Sequence, residues 1–290
     1  MVRRVNFGGF VFCVKYMGEP EIIYAEGYAF TVRTNILQYE GVILNHTYTF
    51  GGKYSDCVYV SYGYRKGTPV SAKLPHLTYE PECSLASNLS RGSGTALLLR
   101  TALRYAYNAV PSIPIFEFDD MSNIDCVEKN MAKSPPRKHI QPLNLAYFSI
   151  AYHGKTWYEY IFQANMMDVE KYKAYRERVR HLQLPEKKPS FHEFLQLSTP
   201  PESQYVFLKE LYLSADTYRD FFMRIPETER YQILYPWLGT FMKNFLGTTY
   251  SGNNWYIDVR NMNSQKGGSR HTRKQKMDYR IFYFQPTQTL

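Results

Sequence analysis

Arg91-Gly92-Ser93-Gly94-Thr95-Ala96 runs straight into Leu97-Leu98-Leu99-Arg100-Thr101-Ala102-Leu103. Leu97, Leu98, Leu99, Ala102, Leu103 and Ala106 repeat at helical spacing, which predicts a helix over 95–109 stopped by Pro111. Gly92 and Gly94 ahead of it permit positive φ and a close backbone approach. A glycine-bearing turn that feeds a helix leaves several N–H groups aimed at one spot, which suits a phosphate. The same residues would also serve simply to start a core helix. No Gly-Lys-Ser/Thr follows, so the turn is not a Walker motif, and Gly-x-Gly-x-x-Gly is incomplete, so it is not a dinucleotide fingerprint.

Upstream of this turn the chain reads as strands. Residues 4–16, 21–32, 41–50 and 56–64 are rich in Val, Ile, Tyr and Phe, and Gly18-Glu19-Pro20, Gly51-Gly52 and Lys66-Gly67-Thr68-Pro69 separate them. Residues 34–39 read as a short helix, and 74–81 as a strand leading to the turn. Downstream, 113–118 alternates as a strand, and 143–152 fits strand or helix equally. Thr156 with Glu159 three residues on forms a capping-box pattern ahead of Trp157, Tyr158, Ile161 and Phe162. From Val169 the pattern is helical over 169–182, 191–197, 202–213, 217–225 and 227–245, broken by Pro185, Pro189, Pro200-Pro201 and Pro226. Strand signals return at 255–259 and 279–284.

The chain has 290 residues, a net charge of +9, 27 Tyr and 18 Phe, so it can bury a large aromatic core and favours an acidic partner. Lys266, Arg270, His271, Arg273, Lys274, Lys276 and Arg280 crowd one Gly/Ser-containing stretch, which reads either as a solvated loop or as a contact for nucleic acid or another anionic partner. No apolar run approaches the ~20 residues that cross a bilayer, and no signal-peptide core follows the N-terminus. Cys13, Cys57, Cys83 and Cys126 lie far apart without zinc spacing, which leads to an expectation of no metal site, reduced thiols and a cytoplasmic protein.

Arg91, Gly94 and Ala96 fill the specified positions of Arg/Gln-x-x-Gly-x-Gly/Ala, and in this the turn resembles the acyl-CoA loop of the GNAT family of N-acetyltransferases. The resemblance implies that Arg91, Gly92, Ser93, Gly94, Thr95 and Ala96 hold the diphosphate of acetyl-CoA. The connection from Pro81 to Arg91 is longer than the family's usual one. Trp157-Tyr158-Glu159-Tyr160-Ile161-Phe162 is similar to the family's Leu-Tyr-Glu-x-x-Gly-Phe helix end, with Ile161 in place of the glycine. Carried over, Tyr158 is the general acid toward the departing thiolate. The alternative is a plain aromatic core face.

A base is needed for the attacking amine. Glu80, before the loop, is the first candidate and His76 the second, while Glu117, Asp119 and Asp120 form an acidic cluster for a basic acceptor or a solvated strand end. Phe116-Glu117-Phe118-Asp119-Asp120-Met121-Ser122 and Gly154-Lys155-Thr156-Trp157-Tyr158-Glu159 resemble uncharacterised proteins of large nucleocytoplasmic DNA viruses, which implies host cytoplasm or virion.

The expected class is α+β with an α/β-like part: a mixed, mostly antiparallel GNAT-type sheet flanked by helices, with a large helical insertion or C-terminal helical module. The expected division is 1–165 as the acyltransferase-like domain, 166–246 as the helical block and 247–290 as a closing β-pair with the basic loop. The expected activity is acetyl-CoA-dependent acetylation of an unidentified amine. The alternative is a non-catalytic viral structural or nucleic-acid-associated protein on a degenerate scaffold.

Overall fold

The computed structural model describes residues 2–7, 10–16, 19–86, 88–120, 122–124, 143–247 and 254–262, and side chains from residue 19 onward except those of 123 and 124. The expected strand 279–284 and the basic stretch from Lys266 to Arg280 lie outside these residues. The chain divides into two compact units, 1–118 with 256–290, and 119–255. The second is therefore inserted into the chain of the first. Its boundary falls at Asp119, about where the strand 113–118 ends, instead of at the expected 165.

The first unit is a largely antiparallel sheet. Its strands are β1 (Val2–Phe7), β2 (Phe10–Tyr16), β3 (Glu21–Ala25), β4 (Tyr28–Tyr39), β5 (Val42–Gly51), β6 (Asp56–Arg65), β7 (Thr68–Leu77), β8 (Ile115–Asp119) and β12 (Asn254–Asp258), of which β12 enters this unit at Tyr256. The order is β1-β2-β4-β5-β6-β7-β8-β12, with β3 paired to the start of β4. Three hairpins turn on Glu26-Gly27, Glu40-Gly41 and Lys66-Gly67, where both central residues have positive φ, as the type I′ turn that matches strand twist requires. Residues 34–39, expected as a helix, instead complete β4. Their alternation pairs Thr34 with Tyr48 and Ile36 with His46, and cross-strand packing outweighs the weak local helical pattern.

One helix, α1 (Ser93–Ala109), covers this sheet. Leu98, Leu99, Ala102, Leu103 and Ala106 are fully buried, each leucine contributing about 1.5–3 kcal/mol. The Tyr105 ring meets Tyr48 at 5.4 Å and Phe50 at 5.6 Å, and its hydroxyl donates to Glu21 Oε2 at 2.6 Å. Cys57 and Cys83 form a disulfide that ties the start of β6 to the 3-10 turn Pro81–Cys83. The expectation of reduced thiols thus fails for this pair. The two are 26 residues apart in sequence, and nothing in their spacing reveals the contact.

The second unit is helical. Its elements are β9 (Asn123–Ile124), β10 (Leu143–Asn144), α2 (Leu145–His153), α3 (Trp157–Phe162), β11 (Asn165–Met166), α4 (Val169–His181), α5 (Phe191–Ser198), α6 (Tyr205–Ser214), α7 (Tyr218–Arg224), α8 (Arg230–Leu234) and α9 (Leu238–Leu246). Pro236 splits the expected helix 227–245 into α8 and α9, since proline supplies no N–H and clashes with the preceding turn. The core is aromatic. Phe194 packs on Phe221 at 5.3 Å and Trp237 at 5.4 Å, and Phe241 on Tyr218 at 5.0 Å and Phe222 at 5.6 Å.

The capping box opens α3 as expected: Glu159 N–H donates to Thr156 Oγ1 at 3.2 Å, and Thr156 N–H to Glu159 Oε2 at 2.7 Å. The Glu159 carboxylate also accepts from Tyr175 at 2.6 Å and Tyr172 at 3.1 Å, and pairs with Arg176 at 3.3 Å. This buried hub fastens α3 to α4. Among the described residues no helix is long and apolar enough to cross a membrane, and no group of three or more His, Cys, Asp or Glu could hold a metal ion.

Candidate functional site

In the first unit the glycine turn sits between two parallel strands in sequence. β7 and β8 pair in parallel only at Ala72 with Phe116 and Lys73 with Glu117. Beyond these pairs β7 runs on to Leu77 and β8 to Asp119 with no further pairing between them. β7 changes course at that point. Tyr59 of β6 faces His76 and Ser61 faces Lys73, so Val60 stands against both Leu74 and Pro75, a bulge that bends the strand. Pro75 has no N–H to give to a ladder, which suits it to such a site. The other side of β8 is covered: Val259 N–H donates to the Pro114 carbonyl at 3.0 Å.

The turn itself is open at its tip and packed at its base. Arg91 and Ser93 are exposed, with the Arg91 guanidinium 5.7 Å from the Tyr79 ring centroid. Gly92 has φ +77° and nothing within 4 Å of where a Cβ would stand. Gly94 is buried, and a Cβ there would meet Leu89 at 2.8 Å and Ser90 Oγ at 2.9 Å. Two of the amides have internal acceptors: Ser93 N–H donates to the Arg91 carbonyl at 3.1 Å and Gly94 N–H to Ser90 Oγ at 3.1 Å. The Thr95 hydroxyl is buried at the first turn of α1 and meets no hydrogen-bond partner among the described residues. Ala96 N–H closes the first helical bond on the Gly92 carbonyl at 2.9 Å.

Ser90 was not singled out by the sequence, yet it organises the turn. Besides Gly94 it meets Ser93 Oγ at 2.9 Å and the Tyr28 hydroxyl at 3.4 Å. A serine four residues ahead of a helical glycine is the only signal that marks it. The long connection from Pro81 is held along its length: Leu85 N–H donates to the Ala29 carbonyl, Leu89 N–H to the Pro81 carbonyl, and the Tyr79 hydroxyl to the Leu89 carbonyl.

Glu80 lies beyond β7, exposed at the head of the 3-10 turn, where its carbonyl accepts from Cys83 N–H at 3.0 Å. The expected strand 74–81 therefore ends at Leu77, so Glu80 is a loop residue and not a strand-end residue. His76 is exposed, with its ring 5.3 Å from that of Tyr59. The acidic trio does not behave as one cluster, because Glu117 is half-buried, Asp119 exposed and Asp120 only 3% exposed.

In the second unit Tyr158 is buried in α3, and its ring packs on Trp157 at 4.9 Å and near Phe162 at 6.5 Å. Burial raises its phenol well above the ordinary value, and the Asp120 carboxylate beside it raises it further, while a hydrogen bond with Ser122 acts the other way. Asp120 accepts from Ser122 N–H at 3.2 Å. Its carboxyl is pushed up to about 6, by burial first, against the hydrogen bonds from Ser122 and with a further rise from Glu159. Tyr158, Ser122 and Asp120 thus form a buried polar group in which the phenol stays protonated. The sequence grouped Asp120 with its acidic neighbours and did not connect it to Tyr158.

Comparison of the chain with protein-family models, characterised proteins and solved structures gives no match.

Proposed function

We propose that the chain is an acetyl-CoA-dependent N-acetyltransferase of the GNAT type, acting on an amine. The observation that carries this reading is the parting of parallel β7 and β8 beyond Lys73 and Glu117, with the glycine turn of α1 on the connection between them. An extended pantetheine arm has amides that suit such a gap as an added strand. The open tip at Gly92, the first turn of α1 and the partnerless Thr95 hydroxyl suit the CoA diphosphate, with Arg91 as a nearby cation. The resemblance names Tyr158 as the proton donor to the CoA thiolate, and its raised proton affinity keeps that phenol protonated. Glu80 remains the first candidate base.

The internal acceptors of Ser93 and Gly94 N–H favour a second reading, in which the scaffold no longer turns over and the protein is a viral structural or nucleic-acid-associated one. Thiol release from acetyl-CoA, assayed with a panel of amines, tests the first. Turnover lost in Tyr158→Phe with acetyl-CoA binding retained supports it. Absence of both binding and turnover, together with DNA binding that weakens steeply as salt rises, supports the second.

A further inference from the structure

We propose that Arg230, Arg219, Tyr152 and His153 of the helical unit form a binding site for a phosphate group. Arg230, the first residue of α8, is only 7% exposed, yet it pairs with no carboxylate among the described residues. Its Nε donates to the Ile225 carbonyl at 3.2 Å and its guanidinium lies 4.5 Å from the Tyr152 ring centroid. Nη1 is buried and reaches no acceptor among the described residues. A buried cation with an unused donor is costly unless an anion satisfies it.

The Tyr152 hydroxyl, near the end of α2, is likewise buried without a hydrogen-bond partner among the described residues. Two buried donors without a hydrogen-bond partner among the described residues therefore lie on side chains in cation–π contact. Arg219 of α7, a half-buried cation, has no ion pair among the described residues. Burial, then Arg219 and Arg230, hold the proton affinity of His153 below the ordinary value, so both guanidiniums act on that ring.

The acidic groups at hand are committed or point to solvent. Asp220 of α7 pairs with Arg224 at 3.0 Å, and Glu229, next to Arg230, is exposed. Donors without acceptors select an oxyanion over a neutral or cationic ligand. Two guanidiniums match the ≈ −1.5 to −2 charge of a phosphate monoester or inorganic phosphate better than a single carboxylate.

The test uses the full chain, with inorganic phosphate as the probe against sodium chloride of equal ionic strength. Phosphate is expected to raise the melting temperature and to shift the His153 ring titration, followed by NMR, upward toward the ordinary value. Arg230→Met keeps the aliphatic stem on Tyr152 and removes the charge, and is expected to weaken phosphate binding by at least about tenfold, as loss of a charge-assisted contact implies. Arg219→Gln, at a half-buried position, is the companion variant if Arg230→Met does not fold, and is expected to weaken binding in the same direction. O-phosphoserine as a second probe distinguishes the sources. Competition with phosphate identifies a phosphoryl group of a larger ligand, and inorganic phosphate alone identifies a free-ion site, either result supporting the proposal. Equal melting temperatures in phosphate and chloride with an unmoved His153 titration overturn it, as does phosphate stabilisation that both variants retain in full.

Discussion

Replacing Asp120 by Asn removes a carboxyl that is only 3% exposed and whose pKa is pushed up to about 6 from 3.8, mainly by burial. Between the unfolded and folded values the native state binds the extra proton, so stability falls as pH rises through that window. Above the folded value the ionised carboxylate is buried and the penalty is complete. A shift of about two units corresponds to about 3 kcal/mol, of which about 2 kcal/mol develops between pH 4 and pH 7. The amide that replaces the carboxyl cannot ionise, so Asp120→Asn should gain on wild type by about 2 kcal/mol across that range. Urea unfolding of both proteins at half-unit pH steps measures the difference directly. A difference that stays flat from pH 4 to pH 7 refutes the buried, proton-holding carboxyl and with it the coupling of Asp120 to Tyr158.

Removing the Cys57–Cys83 bond by a Cys57→Ser/Cys83→Ser double variant should destabilise the first unit by about 3.5 kcal/mol, the loop-closure value for its 26-residue separation, read from denaturant midpoints; equal midpoints with and without the bond would refute it. Ser93→Asp places a carboxylate at the start of α1, where the helix favours it by about 0.3–1 kcal/mol. The melting temperature should therefore hold or rise while affinity for acetyl-CoA falls at least about tenfold, and unchanged affinity by calorimetry would remove the diphosphate from this turn. Gly94→Ala should lose about 1–3 kcal/mol, because the new methyl meets buried Leu89, so a binding defect at this position reports folding as much as recognition. Glu159→Gln should lose about 3 kcal/mol by breaking the carboxylate hub of Tyr172, Tyr175 and Arg176, measured by tryptophan fluorescence during unfolding.

Regular patterns were readable and contextual ones were not. The leucines behind Arg91, the Thr156–Glu159 box and the proline-punctuated helices from Val169 all signal locally, and each forms its element within a few residues. The tight hairpins at Glu26-Gly27 and Glu40-Gly41 escaped because Glu is a rare partner for Gly in a type I′ turn, which usually carries Asn or Asp. Residues 143–152 were ambiguous by periodicity because α2 is buried nearly all round, so no polar face marks its phase.

Composition changes at Asp168, whereas packing changes at Asp119. Tyr152 of α2 already lies against Phe222 of α7, and only tertiary contact reveals it. At the candidate site the glycine turn was legible from its spacing. The parting of β7 and β8, the disulfide and the Asp120–Ser122–Tyr158 group were not, since each depends on residues brought together from separate segments.

Hydrogen–deuterium exchange of the full chain with and without saturating acetyl-CoA tests the acyl-CoA reading most directly. Slowed exchange is expected at the amides of residues 91–96 and, with them, at 74–77 of β7, where an added strand would take up the free edge. Exchange at both segments that is identical with and without acetyl-CoA would contradict it.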